Sequence, residues 1–157
     1  MVLSVAYCSL ARAVLFPPVE APVKHWWPRD WPSQCTLLER QHDQLESLLD
    51  VLIHDHQIAD SAIEQALQLS CRRLLWDLRL HLRLEERWLL QCHCLCAGHQ
   101  EAHREVTNQT TATLMAIEHD RQGRLALLES VQQWFVAHRH GPDAMAYRLA
   151  AQSSDPT

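Results

Sequence analysis

From about residue 36 onward, apolar side chains recur at alternating steps of three and four, the period of one face of an α-helix. Four such stretches can be separated along the chain. Their positions are Leu38, His42, Leu45, Leu49 and Leu52; Cys71, Leu74, Leu78, His81, Glu85 and Trp88; His99, His103, Val106, Thr110, Thr113 and Ile117; and Leu127, Val131, Trp134 and His138. The pattern predicts an all-α protein with four helices packed along their apolar faces.

Capping-box patterns predict where the first two helices begin. Thr36-Leu-Leu-Glu39 should open a helix that runs to about His56, and Ser61-Ala-Ile-Glu64 a second that runs to about Cys92. The links between helices are short, about four to six residues, so neighbouring helices should be antiparallel. The expected fold is therefore an up-down-up-down antiparallel four-helix bundle.

Glycines predict the remaining breaks. Gly98 marks the start of a third helix ending near Asp120, and Gln122-Gly123 precedes a fourth that runs from about Arg124 toward Ala150.

The residues before the first stripe differ in character. Residues 1–35 hold five of the seven prolines together with Trp26, Trp27 and Trp31, and they show no helical period. We predict an irregular N-terminal arm over 1–35, a bundle over 36–152 and a frayed tail over 153–157.

Composition supports a helical protein and excludes several classes. The chain has 157 residues and only three glycines, and its net charge of −5 leaves no basic patch for nucleic acid. No apolar run reaches the roughly 18 residues of a membrane span. The start, Val2 to Phe16, is mildly apolar but is interrupted by Arg12, so it is a weak secretory leader at best and we expect a cytoplasmic protein.

Several polar residues interrupt the apolar stripes and form a candidate metal site. Residues four apart on a helix lie on one face, so His81 with Glu85, and His99 with His103, can each point two ligand atoms at one spot. The remaining candidates are His42, His138 and Asp143. In an up-down-up-down bundle these positions would all lie at one end.

Asp143 fits this set only if the fourth helix is irregular. Residues five apart, such as His138 and Asp143, lie about 140° apart on an ideal helix. The intervening Gly141-Pro142 favours a one-residue bulge, because proline removes a backbone N–H, and the bulge would turn Asp143 inward.

Energetics favour a metal over a purely structural role for these groups. A lone buried carboxylate is costly, and a metal ion would remove that cost for Glu85 and Asp143 together. Five imidazoles with two carboxylates suit iron better than structural zinc, and they exceed the needs of one ion. The alternative is a bundle whose polar core residues are hydrogen-bonded and hold no metal.

These residues resemble the hemerythrin family, four-helix bundles with a non-haem di-iron centre that binds O2 reversibly. The matching motifs come in the family's order across roughly residues 27–150. They are Glu39-Arg-Gln-His42, His81-Leu-Arg-Leu-Glu85-Glu86, His99-Gln-Glu-Ala-His103, and Trp134-Phe-Val-Ala-His138 followed by Asp143.

The resemblance implies a division of the ligands between two irons. One iron would be held by His99, His103 and His138, and the other by His42 and His81, with its last position left for O2. Glu85 and Asp143 would bridge both irons beside an oxo or hydroxo group. Trp134 matches the aromatic residue that lines the O2 pocket, and Glu86 could support a ligating histidine.

Three positions near the predicted site depart from the family pattern. The chain has Arg139 where an isoleucine is usual, Leu82 where a phenylalanine often stands, and Asp77 at a usually aromatic position. These departures bear on how dry the O2 pocket is.

We therefore expect a non-enzymatic O2 carrier, storage or delivery protein with two iron ions, with NO or peroxide as alternative ligands. The alternatives are a di-iron peroxidase, NO reductase or oxidase, and an O2 or redox sensor acting through a separate protein. Ferritin-like oxidases use two E-x-x-H motifs, and here only Glu39-Arg-Gln-His42 fits.

Other cysteines and histidines are expected to lie outside the site. Cys92-His-Cys94-Leu-Cys96 could serve in thiol redox chemistry or hold a second metal, but a loop with incidental thiols is the preferred interpretation. Surface positions are expected for His54, His56, His93, His119 and His140.

Overall fold

The protein is described here from a computed structural model that places residues 31–58, 61–117 and 119–153. Within these residues every regular element is helical, which confirms the all-α prediction. The elements are α1 (Trp31–Ile58), a 3-10 turn (Ser61–Ile63), α2 (Glu64–Gln91), α3 (Ala97–Ala116), α4 (Arg121–His138), a π-helical segment (Arg139–Asp143) and α5 (Ala144–Ser153).

Helix packing produces a four-helix bundle in which α1 and α3 each lie against both α2 and α4. Glu39, early in α1, pairs with Arg139 just after α4. The carbonyl of His56, late in α1, accepts a hydrogen bond from Arg121 at the start of α4. These contacts are those of antiparallel neighbours, while the up-down-up-down order of the whole bundle stays a prediction.

The apolar core consists of two clusters with a polar layer between them. The larger cluster includes Leu45, Leu78 and Phe135, and the smaller includes Leu38 and Trp88. On α1, His42 lies between Leu38 of the smaller cluster and Leu45 of the larger. The predicted ligands therefore occupy the level at which the apolar core is interrupted.

The N-terminal boundary was predicted wrongly, because α1 begins at Trp31 and not at Thr36. Pro32 falls in the first helical turn, where its missing N–H costs no intrahelical hydrogen bond. The Thr36–Glu39 pattern therefore lies inside a helix and does not mark its start. Residues 31–35 belong to the bundle, and residues 1–30 of the predicted arm lie outside the described residues.

The other boundaries shift by a few residues. Gly98 and Gly123 lie in the first turns of α3 and α4, and the capping positions are Cys96 and Asp120, whose side chains accept from backbone N–H groups. The cap of α2 is Ile63, which makes no side-chain capping bond, and α2 begins at Glu64.

The C-terminal end extends slightly further than expected. Ser153, assigned to the frayed tail, is the last residue of α5, and residues 154–157 lie outside the described part. Among the described helices, none combines the length and the apolar character needed to cross a membrane.

Candidate metal centre

Potential ligand atoms converge in two groups at the polar layer. The first group is Glu85, His99, His103, His138 and Asp143, and the second is His42, His81 and Glu85. Within each group the ligand atoms lie within 4.8 Å of one another, and every member is buried. The structure thus brings together all seven residues singled out from the sequence, in an arrangement that could hold a metal ion.

A π-helical segment turns Asp143 into this cluster. It spans Arg139–Asp143, and the Ala144 N–H bonds to the Arg139 carbonyl, five residues back. One residue more per turn aligns positions five apart, so His138 and Asp143 share a face. Asp143 Oδ1 lies 3.1 Å from His138 Nε2. The irregularity expected at Gly141-Pro142 is present, and the single fourth helix predicted to Ala150 is divided there.

Each carboxylate directs its two oxygens toward different histidines. Asp143 Oδ1 lies 3.0 Å from His99 Nε2, and its Oδ2 lies 3.3 Å from His42 Nε2. Glu85 Oε2 lies 3.4 Å from His103 Nε2, and its Oε1 lies 3.8 Å from His42 Nε2. Both carboxylates therefore lie between the three-histidine group and the two-histidine group.

The three-histidine group forms a tight triangle of ring nitrogens. The Nε2 atoms of His99, His103 and His138 are separated by 2.9, 3.0 and 3.1 Å. The three Nε2 atoms cannot all hydrogen-bond to one another, because each is either a donor or an acceptor and at least two of the three must be alike. A common cation would give all three lone pairs a partner.

Several buried atoms of the cluster lack hydrogen-bond partners. Within the described residues these atoms are His42 Nε2, His81 Nε2, Glu85 Oε2 and Asp143 Oδ1. An unsatisfied buried polar atom costs about 1–3 kcal/mol, and more when it is charged. Their convergence fits a metal-binding role, in which each atom would donate a lone pair.

The outward ring nitrogens are held in place by neighbouring side chains. His81 Nδ1 donates to Gln41 Oε1 and His103 Nδ1 donates to Glu86 Oε1, each at a distance of 3.1 Å. A neutral imidazole that donates from Nδ1 leaves Nε2 as an acceptor, which is the ligating form. The supporting role suggested for Glu86 matches this contact.

The electrostatics divide the histidines into two kinds. Burial, reinforced by His99 and His138, lowers the pKa of His103 to about 3, and burial also lowers the pKa of His81 well below its usual value. Burial opposes protonation of His99 as well, but the nearby carboxylates of Asp143 and Glu85 outweigh it and raise that pKa to about 9.

The pKa of His42 is raised for the same reason, since the nearby carboxylate of Asp143 outweighs burial. The pKa of Asp143 is lowered, because the adjacent imidazoles of His138, His42 and His99 outweigh its burial. The metal-free cluster therefore favours a protonated His99, and a metal ion must displace that proton to use its lone pair.

Two aromatic residues at the centre were missed from the sequence. The Tyr147 hydroxyl donates to Glu85 Oε1, and its ring stacks on His42 at 5.9 Å. Phe135 packs edge-on against His42 and His81, at 5.6 and 5.9 Å. Tyr147 lies four residues after Asp143, a helical spacing that could have drawn attention to it.

Trp134 lies on the other side of the centre. Its ring stacks on His138 at 4.5 Å and meets His103 edge-on at 6.4 Å. It contacts the three-histidine group, whereas Phe135 and Tyr147 contact the two-histidine group. The role of Trp134 in lining an O2 pocket stays a prediction.

The side chains that depart from the family pattern make contacts that lie outside the ligand cluster. Arg139 pairs with Glu39, Asp43 and Glu46 on α1, so its guanidinium points along the bundle surface. Leu82 is buried in the larger apolar cluster. Asp77 is held by Arg73, one turn earlier on the solvent side of α2.

The cysteine-rich loop forms no second ligand cluster among the described residues. Cys92 and Cys94 pack against the smaller apolar cluster, and His93 between them adopts a left-handed conformation with φ of 57°. His56, expected at the surface, is instead buried, because α4 covers the end of α1.

Comparisons with known proteins leave the family of this chain unassigned: no protein-family model, no curated protein and no solved structure matches it.

Proposed function

We propose that this protein is a hemerythrin-like, non-haem di-iron protein that binds O2 reversibly. One iron would be held by His99, His103 and His138, and the second by His42 and His81. The observation that carries the proposal is the placement of Glu85 and Asp143, each with one oxygen toward either histidine group. Carboxylates placed in this way can bridge two ions.

The number of protein donors favours two ions, and it gives the two ions different numbers of protein ligands. The three-histidine group with both carboxylates offers five protein donors, and the two-histidine group with the same carboxylates offers four. Five donors would hold the first ion more completely than four would hold the second. The second ion would then keep one position for a small molecule, which is the requirement for O2 binding.

The histidine nitrogens are close enough together for one ion to contact all three. Their separations of 2.9–3.1 Å are compatible with metal–nitrogen bonds of about 2.1 Å. Imidazoles with carboxylates in such a geometry suit iron, and iron would supply the electrons that O2 needs in order to bind.

Side chains of the bundle would exclude water from the metal centre and hold its ligands in place. Phe135 covers the two-histidine group, and Tyr147 fixes Glu85 from the opposite apolar cluster. Both side chains are almost fully buried. Excluding water and protons at this position protects a bound oxygen molecule from side reactions, which favours a carrier over an oxidase.

The test is metal content followed by gas cycling. We expect about two irons per chain, as in other bundle-core di-iron sites, and a visible absorption band that appears under O2 and disappears under N2. His42→Gln should abolish the reversible band, whereas His54→Gln, an exposed histidine on the same helix, should retain it. Irreversible oxidation with peroxide turnover would favour an enzyme, and absence of iron would overturn the proposal.

A further inference from the structure

The cleft between α2 and α3 carries two adjoining cavities that the O2-binding proposal does not use. One, of about 280 Å³, is walled mainly by Leu75, Trp76, Leu114 and Met115. The other, of about 510 Å³, is walled by charged and polar side chains that include Arg83. Arg79 lines both. We call the pair of cavities the α2–α3 groove.

The apolar half of the groove exposes large side chains to solvent. Trp76 is 61% exposed and Met115 is 77% exposed. An exposed tryptophan beside a methionine is uncommon on a surface with no binding role, and both residue types are enriched at recognition sites. The flat indole offers a stacking surface for an aromatic ring.

The other half is cationic. It contains Arg79, Arg83 and Arg104 against the carboxylates of Glu86 and Glu101. Arg104 is held by Glu101, whereas Arg79 and Arg83 form no ion pair with the residues that the structure describes. Arg83 also lies near enough to Glu86 to act on the pKa of that carboxyl. With Arg104 the wall carries three guanidinium groups against two carboxylates, which favours an anionic ligand.

The cationic half also reaches the metal centre. His103, a candidate ligand, lines this cavity, and its Nδ1 donates to Glu86 on the same wall. A molecule in the groove would be separated from a metal-ligating ring by one hydrogen bond. Neither half alone indicates a redox role, but their combination beside His103 does.

We propose that the α2–α3 groove binds a flat aromatic anion that reduces the oxidised metal centre. Its ring would lie on Trp76, and its anionic group would lie between Arg79 and Arg83. The larger cavity, at about 510 Å³, is within the size range of small-molecule sites. The inference rests on the proposed di-iron function.

The number of electrons required indicates which class of reductant could act here. Returning two ferric ions to the ferrous state takes two electrons, and a hydroquinone or dihydroflavin supplies both as it becomes the quinone or flavin. The two protons that it loses pass to solvent. No further oxidant or reductant is required.

The experiment compares two reductants of opposite charge on the oxidised, iron-loaded protein by stopped-flow absorbance. The anionic probe is the hydroquinone of anthraquinone-2,6-disulfonate, and the cationic probe is reduced methyl viologen. Electrostatic steering alters rates by about 10- to 1,000-fold. We therefore expect Arg79→Gln/Arg83→Gln to slow reduction by the anion about tenfold or more, and to leave reduction by the cation unchanged or faster.

A matched control separates the groove from net charge. Arg73→Gln/Arg87→Gln removes the same charge from exposed positions on the same helix, outside both cavities. It should change the anion rate by less than about twofold, because exposed charges away from the path are screened by salt. Trp76→Ala should raise the concentration of the anionic probe at which the reduction rate saturates. It should not alter the rate of reduction by the cationic probe.

Equal slowing in the two double variants, or no slowing in either, would overturn the inference. Calorimetric titration of the oxidised dye into the same proteins reports binding without any redox step. A protein that lacks iron would refute the proposed function and electron entry with it. Even in that case, loss of dye binding in Arg79→Gln/Arg83→Gln but not in Arg73→Gln/Arg87→Gln would establish the anion site. Dye binding that Arg79→Gln/Arg83→Gln leaves unaffected would refute the anion site.

Discussion

Buried histidines occur at both ends of the bundle, but in different surroundings. At one end, five imidazoles and two carboxylates converge on each other. At the other, His56 donates from Nδ1 to the Leu52 carbonyl, and nearby Arg124 is paired with Glu64. Within the described residues no group of three potential ligands forms around His56, although its Nε2 also lacks a partner.

The comparison shows what distinguishes a candidate ligand from a structural histidine. Burial and one unpaired nitrogen are common to His56 and His42. Only His42 has other unpaired donor atoms and two carboxylates within a few ångströms. Convergence of lone pairs, and not burial, is therefore the feature that indicates a metal site.

The strongest test of this comparison is to remove one of the two carboxylates that are proposed to bridge the ions. Glu85→Ala should reduce iron from about two per chain to below one, because both ions would lose a shared ligand. Metal analysis of the purified variant, with circular dichroism to verify helicity, measures this. Glu129→Ala, an exposed acid on α4, is the control. Two irons retained after Glu85→Ala would show that Glu85 does not bridge.

A smaller effect is expected when the support of that carboxylate is removed. Tyr147→Phe deletes the hydroxyl that donates to Glu85, and loss of such a supporting hydrogen bond weakens metal binding by about 10- to 100-fold. Competition with a chromogenic chelator gives the affinity. Thr110→Val removes another buried hydroxyl, bonded to the Val106 carbonyl, and should leave the affinity unchanged. Similar affinities for both variants would exclude a role for Tyr147 at the centre.

At the opposite end, a mutation should change stability and not metal content. Arg124→Met removes the buried partner of Glu64 and should lower the free energy of unfolding by about 2 kcal/mol, since hydrogen bonds to charged groups contribute about that much. Chemical denaturation measures the loss, and the exposed Arg148→Met should show little. Loss of iron from Arg124→Met would contradict the independence of the two ends.

The smallest expected effect is a pH dependence at His56. Burial lowers the pKa of His56 below its ordinary value of 6.5. As the pH falls below 6.5, the unfolded chain binds a proton that the folded chain does not, so stability falls. The stability that neutral His56 contributes is fully present above pH 6.5 and is lost as the pH falls from 6.5 to the pKa of the folded state. For one proton, the free energy of unfolding changes by no more than about 1.4 kcal/mol per pH unit.

A variant isolates that contribution. Denaturation between pH 7.5 and pH 5, which spans roughly the range where a free histidine titrates, should give a flatter stability profile for His56→Gln than for the wild type. The exposed His54→Gln should follow the wild type. Parallel profiles for wild type and His56→Gln would show that His56 is not buried in neutral form.

Much of the fold and of the candidate site was predictable because it depends on local spacing. His81 with Glu85, and His99 with His103, follow from the helical period alone. The requirement for an irregularity near Pro142 follows from the five-residue step to Asp143. The start of α1 was not predictable in the same way, because Thr36 and Glu39 form a capping pattern that the preceding turn at Pro32 makes redundant.

The sequence by itself determined the helical class, the residue types of the candidate ligands and the need for an irregular fourth helix, since these depend on contacts within one helix. Only the tertiary structure decided that Phe135 covers the two-histidine group, that Tyr147 holds Glu85, and that Arg139 turns away toward α1. The physical reason is that a helical period defines a face, whereas the rotation and depth of each helix, and so the direction of every side-chain atom across the core, depend on how all the helices pack together.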